Sequence, residues 1–463
     1  MREGIIAAIS TPPGKGGVAL IRISGAGAHE LAGEIFEPIS KKDIRHYPER
    51  HQIYGYIICK EERCDDGMLT LFRGPRSYTG EDMAEITCHG GMLISAMILE
   101  ELYTRGALPA EAGEFTRRAF VNGKLTLSEA EGIGNLLDAV TEEQVRLSAL
   151  PARTRLSTAI EEIRKSVEDT LSSIYARIDY PEEDLGEFTA EQTLNRLEEV
   201  REKLFSLSLT YKTGKAISEG VRTVIIGKPN AGKSTLYNAL LGTDAAIVTD
   251  IAGTTRDLLT ATTSVGRVTL HLTDTAGIRD TGLADTVEKI GIERSKDRAL
   301  NAELIIALFD TSHPLDESDT EIIELIGRAK AVKLALLNKT DARDPSFNFT
   351  AYTNLFDGVV SLSLKTDEEM AISHLGELID KLFTDERLSV TRDAIVSSLR
   401  QHSALRAALG FIDTAIDAYK LGMPVDAASS DIELALGALM ELDGRAVAEA
   451  VTDGIFSRFC VGK

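Results

Sequence analysis

Residues 221–234 read Val221-Arg222-Thr223-Val224-Ile225-Ile226-Gly227-Lys228-Pro229-Asn230-Ala231-Gly232-Lys233-Ser234, and this stretch decides the fold around it. A run of β-formers ends in G-x-x-x-x-G-K-S and helix formers follow, the strand–loop–helix setting in which that spacing cradles phosphate. The glycines let backbone N–H groups turn onto phosphate oxygens. Lys233 is placed to reach the β- and γ-phosphates, the helix N-terminus adds partial positive charge, and the Ser234 hydroxyl is a hard oxygen ligand for Mg²⁺. Asn230, Ala231, Gly232 and Thr235 complete the expected nucleotide-contacting set of this loop. Gly14-Lys15-Gly16-Gly17 lacks both the spacing and the following Ser or Thr, and reads as a plain turn.

Two further motifs follow in order. Asp274-Thr275-Ala276-Gly277 ends an expected strand at 268–273, where open parallel sheets place ligands. Its carboxylate can hold the Mg²⁺ water shell, and Gly277 can offer a backbone N–H to the γ-phosphate. Asn338-Lys339-Thr340-Asp341 ends a later strand, and an Asp there accepts guanine N1–H and N2–H₂, which adenine lacks, so the substrate is GTP. Together the motifs resemble the Ras-like, translation-factor class of GTPases. Between the first two lies Thr249-Asp250-Ile251-Ala252-Gly253-Thr254-Thr255-Arg256-Asp257, in which Thr255 is a second Mg²⁺ ligand. Ile278 stands where Ras-like enzymes usually place the water-orienting glutamine, and the loop has no arginine finger in cis unless Arg256 serves.

Outward from this core, 463 residues predict two to four compact units. With 43% apolar and 27% charged residues the chain is globular, and no apolar run approaches the ~20 residues of a bilayer span, so a cytosolic protein without membrane association is expected. Four scattered cysteines fit a reducing compartment and no disulfide framework. A net charge of −21 repels nucleic acid in bulk, so any RNA contact needs a local basic patch. Residues 1–122 alternate Gly-rich turns with short strands, including 18–23 and 52–58. Residues 123–217 carry helical periodicity in Ile160, Ile163, Val167, Leu171, Ile174 and Ile178, broken at Pro181. Strands at 221–226, 268–273, 304–309, 332–337 and 358–362 alternate with helices through 218–384, predicting a parallel sheet, and helix returns through 385–463. The expected fold class is therefore α/β multidomain, with an N-terminal α/β domain and a discontinuous α-helical domain into which a Ras-like P-loop GTPase domain is inserted.

The flanks make a closer resemblance. Thr11-Pro12-Pro13-Gly14-Lys15-Gly16-Gly17-Val18, Ser77-Tyr78-Thr79-Gly80-Glu81-Asp82, His89-Gly90-Gly91, Gly113-Glu114-Phe115-Thr116-Arg117-Arg118-Ala119-Phe120 and the terminal Phe459-Cys460-Val461-Gly462-Lys463 are similar to the MnmE (TrmE) family of bacterial tRNA-modification GTPases. The resemblance spans the chain. It implies a folate-binding N-terminal domain through which the protein forms a homodimer. It also implies a flavin- and NADH-using partner of the MnmG (GidA) kind, joined in a heterotetramer or larger assembly. The implied reaction adds an aminomethyl-type group to C5 of the wobble uridine of certain tRNAs. Its one-carbon unit comes from 5-formyl- or methylene-tetrahydrofolate.

By the same resemblance, Asn230 with Thr249, Ile251 and Thr254 holds a K⁺ against the phosphates, which can do the work of an arginine finger. Glu288, in Val287-Glu288-Lys289-Ile290-Gly291, corresponds to the catalytic glutamate that orients water. A solvated helix acid is its bland alternative, and the linker 280–287 before it is about two residues longer than the family pattern. Folate-site residues carry over as Arg22, Glu81, Lys124 and Lys463: cations suit the anionic tail of folate and a carboxylate suits the donor-rich edge of a pterin. Cys460 corresponds to a near-terminal family cysteine, with an inert buried thiol as the alternative reading. No metal beyond Mg²⁺ and K⁺ is expected. The guanine-side loop reads Ser361-Leu362-Ser363-Leu364-Lys365 where Ser-Ala-Lys is common. Two rival classes stay open: a switch GTPase for assembly, which has no need of the flanking motifs, and a folate-dependent aminomethyltransferase with a vestigial nucleotide domain.

Overall fold

The computed structural model describes residues 4–179, 189–242, 247–248, 260–273, 302–423, 425–444, 449–457 and 459–462. It divides into two compact units, Met1–Gly134 with Met440–Lys463, and Asn135–Leu439.

In the first unit, strands β1 (Ile6–Ile9), β2 (Val18–Ser24), β3 (Phe36–Pro38), β4 (Gln52–Cys59), β5 (Glu62–Phe72), β6 (Met83–His89) and β7 (Leu108–Pro109) form one sheet in the order β3-β4-β5-β6-β2-β1-β7. Every pairing is antiparallel except β1 with β7. Alternation along β2 sends Ala19, Ile21 and Ile23 into a core with Leu69, Ile86, Ile98 and Leu102, under the helices Ala28–Glu34 and Met92–Thr104. The same alternation turns Arg22 to the opposite face, in register with Glu85 of β6. Cys59 and Cys64, which the sequence reading did not pair, are bonded with Cα atoms 5.6 Å apart, because the β4–β5 hairpin closes between them with a bulge at Ile57/Ile58; Cys88 and Cys460 are free, so there is no framework. The spacing alone did not show that hairpin.

The second unit holds long helices and a second sheet. Helix Leu150–Asp179 buries Leu156, Ile160, Ile163, Val167, Leu171 and Ile174 along one stripe, whereas Ile178 at its end is exposed. Helices Ala190–Leu209 and Leu399–Lys420 each begin with a capping box, on Thr189 and Ser398, and pack against each other with Arg201 Nε 2.5 Å from Asp413 Oδ1. The proline break at Pro181 lies outside the described residues.

The second sheet comprises β8 (Val221–Gly227), β9 (Ile247–Val248), β10 (Thr260–Val265), β11 (Val268–Thr273), β12 (Leu304–Asp310), β13 (Val332–Asn338) and β14 (Gly358–Ser361), in the order β14-β13-β12-β8-β11-β10-β9. The five strands read from the sequence pair in parallel as expected, and two strands outside that reading extend the sheet. From β14 to β11 the pairing is parallel, but β10 runs antiparallel to β11 and β9 antiparallel to β10. The tight turn Gly266–Arg267, with Gly266 at φ 60°, forces the hairpin, and the Thr-rich β10 gave no apolar run to betray it. The central strands are buried on both faces: Ile306 and Leu308 pack with Leu236, Leu240 and Leu375, while Ile305, Ala307 and Phe309 pack with Ile323 and Ile326. Sheet order reverses at β8, so its carboxyl end is the switch point where such sheets bind ligands.

The chain enters and leaves this sheet region at one place. Thr213 Oγ1 accepts from Asp385 N (2.9 Å), Thr210 Oγ1 accepts from Val396 N (3.0 Å), and Ser218 Oγ donates to Ser397 O (2.8 Å). Gly214 is required there, since a Cβ would sit 1.9 Å from Val396 O. The segment just before β8 is thus bonded to the segment just after the last helix of the sheet (Glu368–Phe383), as an inserted domain demands.

Candidate nucleotide and N-terminal sites

At the carboxyl end of β8 the chain turns through Asn230 (φ 62°) and Gly232 (φ 106°) into the helix Lys233–Leu241. Any side chain at Gly232 is blocked: a Cβ would lie 2.3 Å from Asn338 Nδ2. Lys233 curls over the loop, donating to Gly227 O (2.9 Å) and Lys228 O (2.7 Å), and burial lowers its pKa below the ordinary lysine value. An anion in the loop would restore the lost solvation of that ammonium. Ser234 is half-buried beside it, and neither its hydroxyl nor the exposed Asn230 amide has a protein partner among the described residues. Those two oxygens fit hard cations, Mg²⁺ at Ser234 and K⁺ at Asn230, with Ala231 buried and Thr235 exposed between and beyond them.

The strand-end motif at β13 is tied to this loop. Buried Asn338 donates Nδ2–H to Ala231 O (2.9 Å) and accepts at Oδ1 from Leu364 N (3.1 Å). Ser363 Oγ donates to Asp341 Oδ1 at 2.6 Å, which fixes the carboxylate that sequence reasoning assigns to guanine. Leu364, bulkier than the usual alanine, is accommodated because its side chain joins the core with Leu236 and Leu375, and only its N–H serves the site.

Two lysines near the site are already paired. Lys339 Nζ lies 2.6 Å from Asp310 Oδ2; burial would raise the Asp310 pKa, but its hydrogen bonds from Lys339 and Ser312 outweigh this and hold it below the carboxylate norm. Lys228 Nζ lies 2.8 Å from Asp316 and 2.7 Å from Asp319, the capping pair of helix Glu317–Gly327. Burial opposes the Lys228 charge, yet the two carboxylates raise its pKa. Nothing local in the sequence pointed to either pairing. The expected sites Thr249, Asp250, Ile251, Ala252, Gly253, Thr254, Thr255, Asp274, Thr275, Ala276, Gly277 and Glu288 lie outside the described residues.

A second constellation forms in the N-terminal unit. Arg22 donates from Nε and Nη2 to Glu85 Oε1 (2.9 and 2.8 Å) and from Nη1 to Gly462 O (3.3 Å), with its guanidinium 5.6 Å from the Tyr78 ring centroid and 5.7 Å from that of Phe115. The penultimate residue is therefore held beside β2. Gly462 (φ 96°) also accepts from Ser10 Oγ (2.8 Å), a Cβ there would meet Ile9 O at 2.4 Å, and Val461 bridges to Ala112. Cys460, next in this strap, is exposed, which removes the reading of a buried thiol. Lys463 lies outside the described residues. Glu81 accepts from Ser24 Oγ (2.8 Å) and from buried Arg118 (3.0 Å). Lys124 Nζ reaches over the same loop to Pro75 O (2.9 Å), and Asn122 Nδ2 to Thr79 O (2.7 Å). Arg22, Glu81 and Lys124 thus gather around the 74–82 loop. Sequence reasoning missed Glu85 and Arg118, although Arg118 sits in a quoted motif.

His89 and Asp65 make a separate, exposed pair, with Nδ1 2.7 Å from Asp65 Oδ1. The hydrogen bond to Asp65 raises the His89 pKa above 6.5. A raised folded-state pKa adds stability that is fully present below the unfolded value and lost as pH rises through the folded one. An NMR titration of His89 is expected to give a midpoint above 6.5 that returns to the ordinary value in Asp65→Asn; a midpoint at or below 6.5 in the unaltered chain would contradict the pairing.

Known proteins align with this arrangement. The family model for the MnmE helical domain matches residues 127–460, and that for the GTP-binding protein TrmE N-terminus matches 5–124. The tRNA modification GTPase MnmE of Clostridioides difficile (strain 630) is 37% identical over 461 residues, covering 100% of this chain and 99% of that protein. That of Acetivibrio thermocellus is 38% identical over 464 residues, covering 100% of both. That of Thermotoga sp. (strain RQ2) is 38% identical over 466 residues, covering 99% of both. Among solved structures, the G domain of the T. maritima FeoB iron transporter is 26% identical, with 35% of this chain and 97% of that chain covered, at a TM-score of 0.26 that carries no argument of its own.

Proposed function

Because this chain belongs to the MnmE family of tRNA modification GTPases, we propose that its GTP hydrolysis drives a folate-dependent modification of C5 of the wobble uridine in certain tRNAs. The observation that carries the proposal is the strap 459–462 seated beside Arg22, which joins the two ends of the chain around a site that a simple switch has no use for. In this reading 5-formyl- or methylene-tetrahydrofolate supplies the one-carbon unit when bound. Arg22, Lys124 and Lys463 hold its anionic tail, Glu81 receives the pterin donors, and Cys460 is the thiol carried beside them in the strap. Arg118 and Ser24 orient the Glu81 carboxylate, and Glu85 fixes the Arg22 fork.

In the nucleotide domain, Lys233, Ser234 and the loop N–H groups bind the phosphates, and Thr235, Asp274, Thr275, Ala276 and Gly277 are the further nucleotide-contacting residues. Asn338 and Lys339 support the base pocket and Asp341 reads guanine. Ser234 and Thr255 hold Mg²⁺; Asn230, Thr249, Ile251 and Thr254 hold K⁺; Asp250, Ala252 and Gly253 shape that loop. Glu288 aligns the attacking water. The domain bounds that suit this division are 1–122, 123–217, 218–384 and 385–463. The working assembly is a homodimer through the N-terminal domains, joined to a flavin-dependent partner of the MnmG kind and to tRNA.

Titrating the full chain with 5-formyl-tetrahydrofolate tests the folate reading: saturable binding that weakens in Arg22→Ala supports it, and no binding rejects it. Base reading is tested by Asp341→Asn. The amide pairs with a 2-oxo edge, so preference should pass from GTP to xanthosine triphosphate, with GTP weakened roughly 10- to 100-fold, the worth of hydrogen bonds to a charged group. Competition binding measures this, and an unchanged preference for GTP would take guanine reading away from Asp341.

A further inference from the structure

Beside the folate constellation lies a cavity of about 420 Å³ lined by Arg50, Phe72, Arg76, Ser77, Tyr78 and Lys124. That volume is within the ~300–1,000 Å³ usual for small-molecule sites. Its lining has three cations and no acid, in a chain whose net charge is −21. Neither Arg50 nor Arg76 belongs to the folate set read from the sequence.

The Arg50 side chain is held by a backbone carbonyl and the Arg76 side chain by one exposed carboxylate, which leaves both guanidinium groups accessible to an anion. Arg50, itself in the left-handed region at φ 59°, donates Nη2–H to Arg76 O (2.7 Å) and has no carboxylate partner among the described residues. Arg76 meets Glu49 at 3.2 Å, but its side chain is 72% exposed, and an exposed pair of that length is readily exchanged for another carboxylate. Among the described residues Lys124 is bonded to one carbonyl, that of Pro75. Tyr78 connects the cavity to the rest of the site, since its ring also lies under the Arg22 guanidinium. Glu81, the group suited to a pterin, is not in the lining. The lining therefore suits the outer, anionic part of a ligand whose first carboxylates lie by Arg22 and Lys124 and whose donor-rich end lies toward Glu81.

We propose that this cavity binds the additional α-carboxylates of a γ-linked polyglutamyl tail, so that the chain selects polyglutamylated folate over the monoglutamate through Arg50 and Arg76. The inference rests on the folate reading of the N-terminal unit. Each added glutamyl residue brings one carboxylate on a flexible spacer, which matches guanidinium groups spread along a rim. RNA phosphate would also suit cations, but Lys124 belongs to the folate set and the Tyr78 ring lies by the Arg22 guanidinium, so the lining is continuous with the folate site.

The test is calorimetric titration of the full chain with mono- and triglutamyl 5-formyl-tetrahydrofolate at one ionic strength. Two exposed carboxylate–guanidinium pairs predict roughly 5- to 20-fold tighter binding of the triglutamate. In the Arg50→Ala, Arg76→Ala double variant that ratio should fall close to one, and Arg50→Lys, Arg76→Lys should restore part of it. Equal affinity of the two ligands for the unaltered chain overturns the inference while leaving the folate reading intact. Failure of the monoglutamate and triglutamate alike overturns both. A ratio untouched by the double alanine variant, with tRNA retention on filters weakened instead, overturns it in favour of RNA phosphate.

Discussion

GTP hydrolysis by this chain should run roughly 10²- to 10³-fold faster in K⁺ than in Na⁺ at saturating nucleotide, the loss typical of removing one preorganised stabiliser of transition-state charge. Charge that develops between the β- and γ-phosphates needs a positive partner. The lysines around the loop offer little beyond Lys233: Lys228 is committed to Asp316 and Asp319, and Lys339 to Asp310. What the loop does offer is the Asn230 amide, carried at its exposed turn with φ 62° and without a protein partner among the described residues. A monovalent cation held there, with oxygens of the 249–254 loop as the family resemblance implies, would supply the missing charge. Asn230→Ala should erase the preference for K⁺ and lower the rate in K⁺ to the Na⁺ level. Equal kcat in the two salts would remove the ion from the mechanism and return the question to Arg256.

The second large effect is expected at Glu288. Ile278 cannot orient water, and the carboxylate of Glu288 is the group that the family pattern puts in that role. Glu288→Ala should lower kcat by on the order of 10²- to 10³-fold, while GTP affinity changes by no more than a few-fold, because in the proposed role the residue would act on the water and not on guanine or Mg²⁺. Initial rates alongside equilibrium binding of a non-hydrolysable GTP analogue separate the two. Hydrolysis at the unaltered rate in K⁺ would make Glu288 a solvated helix acid and point to the lengthened 280–287 linker as the reason.

Much of the nucleotide domain was legible in the sequence because its strands are buried on both faces. Ile305–Phe309 and Leu334–Leu337 have no choice but to be central strands, and each phosphate or base motif sits at such a strand's end. The hairpin strand β10 was not legible, since Thr260-Ala261-Thr262-Thr263-Ser264-Val265 alternates weakly and its pairing depends on the turn at Gly266. In the N-terminal unit the alternation of β2 was visible, but its consequence, Arg22 gripped by Glu85 and by the carbonyl of a residue 440 positions away, exists only after folding. Long-range ion pairs such as Lys228 with Asp319 have no local signature, because a surface lysine and a capping aspartate each have an adequate reading alone. Ser363 shows the middle case: its motif was noticed, and the 2.6 Å bond to Asp341 gives its purpose.

In the proposed function, nucleotide turnover by this chain drives wobble-uridine chemistry. Mass spectrometry of nucleosides from tRNA of cells lacking the protein, complemented with the unaltered chain or with Lys233→Ala, tests it directly. The C5-aminomethyl-type uridine should disappear in the deletion, return with the unaltered chain and stay absent with Lys233→Ala. The same nucleoside at full level in the deletion strain, or its full restoration by Lys233→Ala, would contradict it.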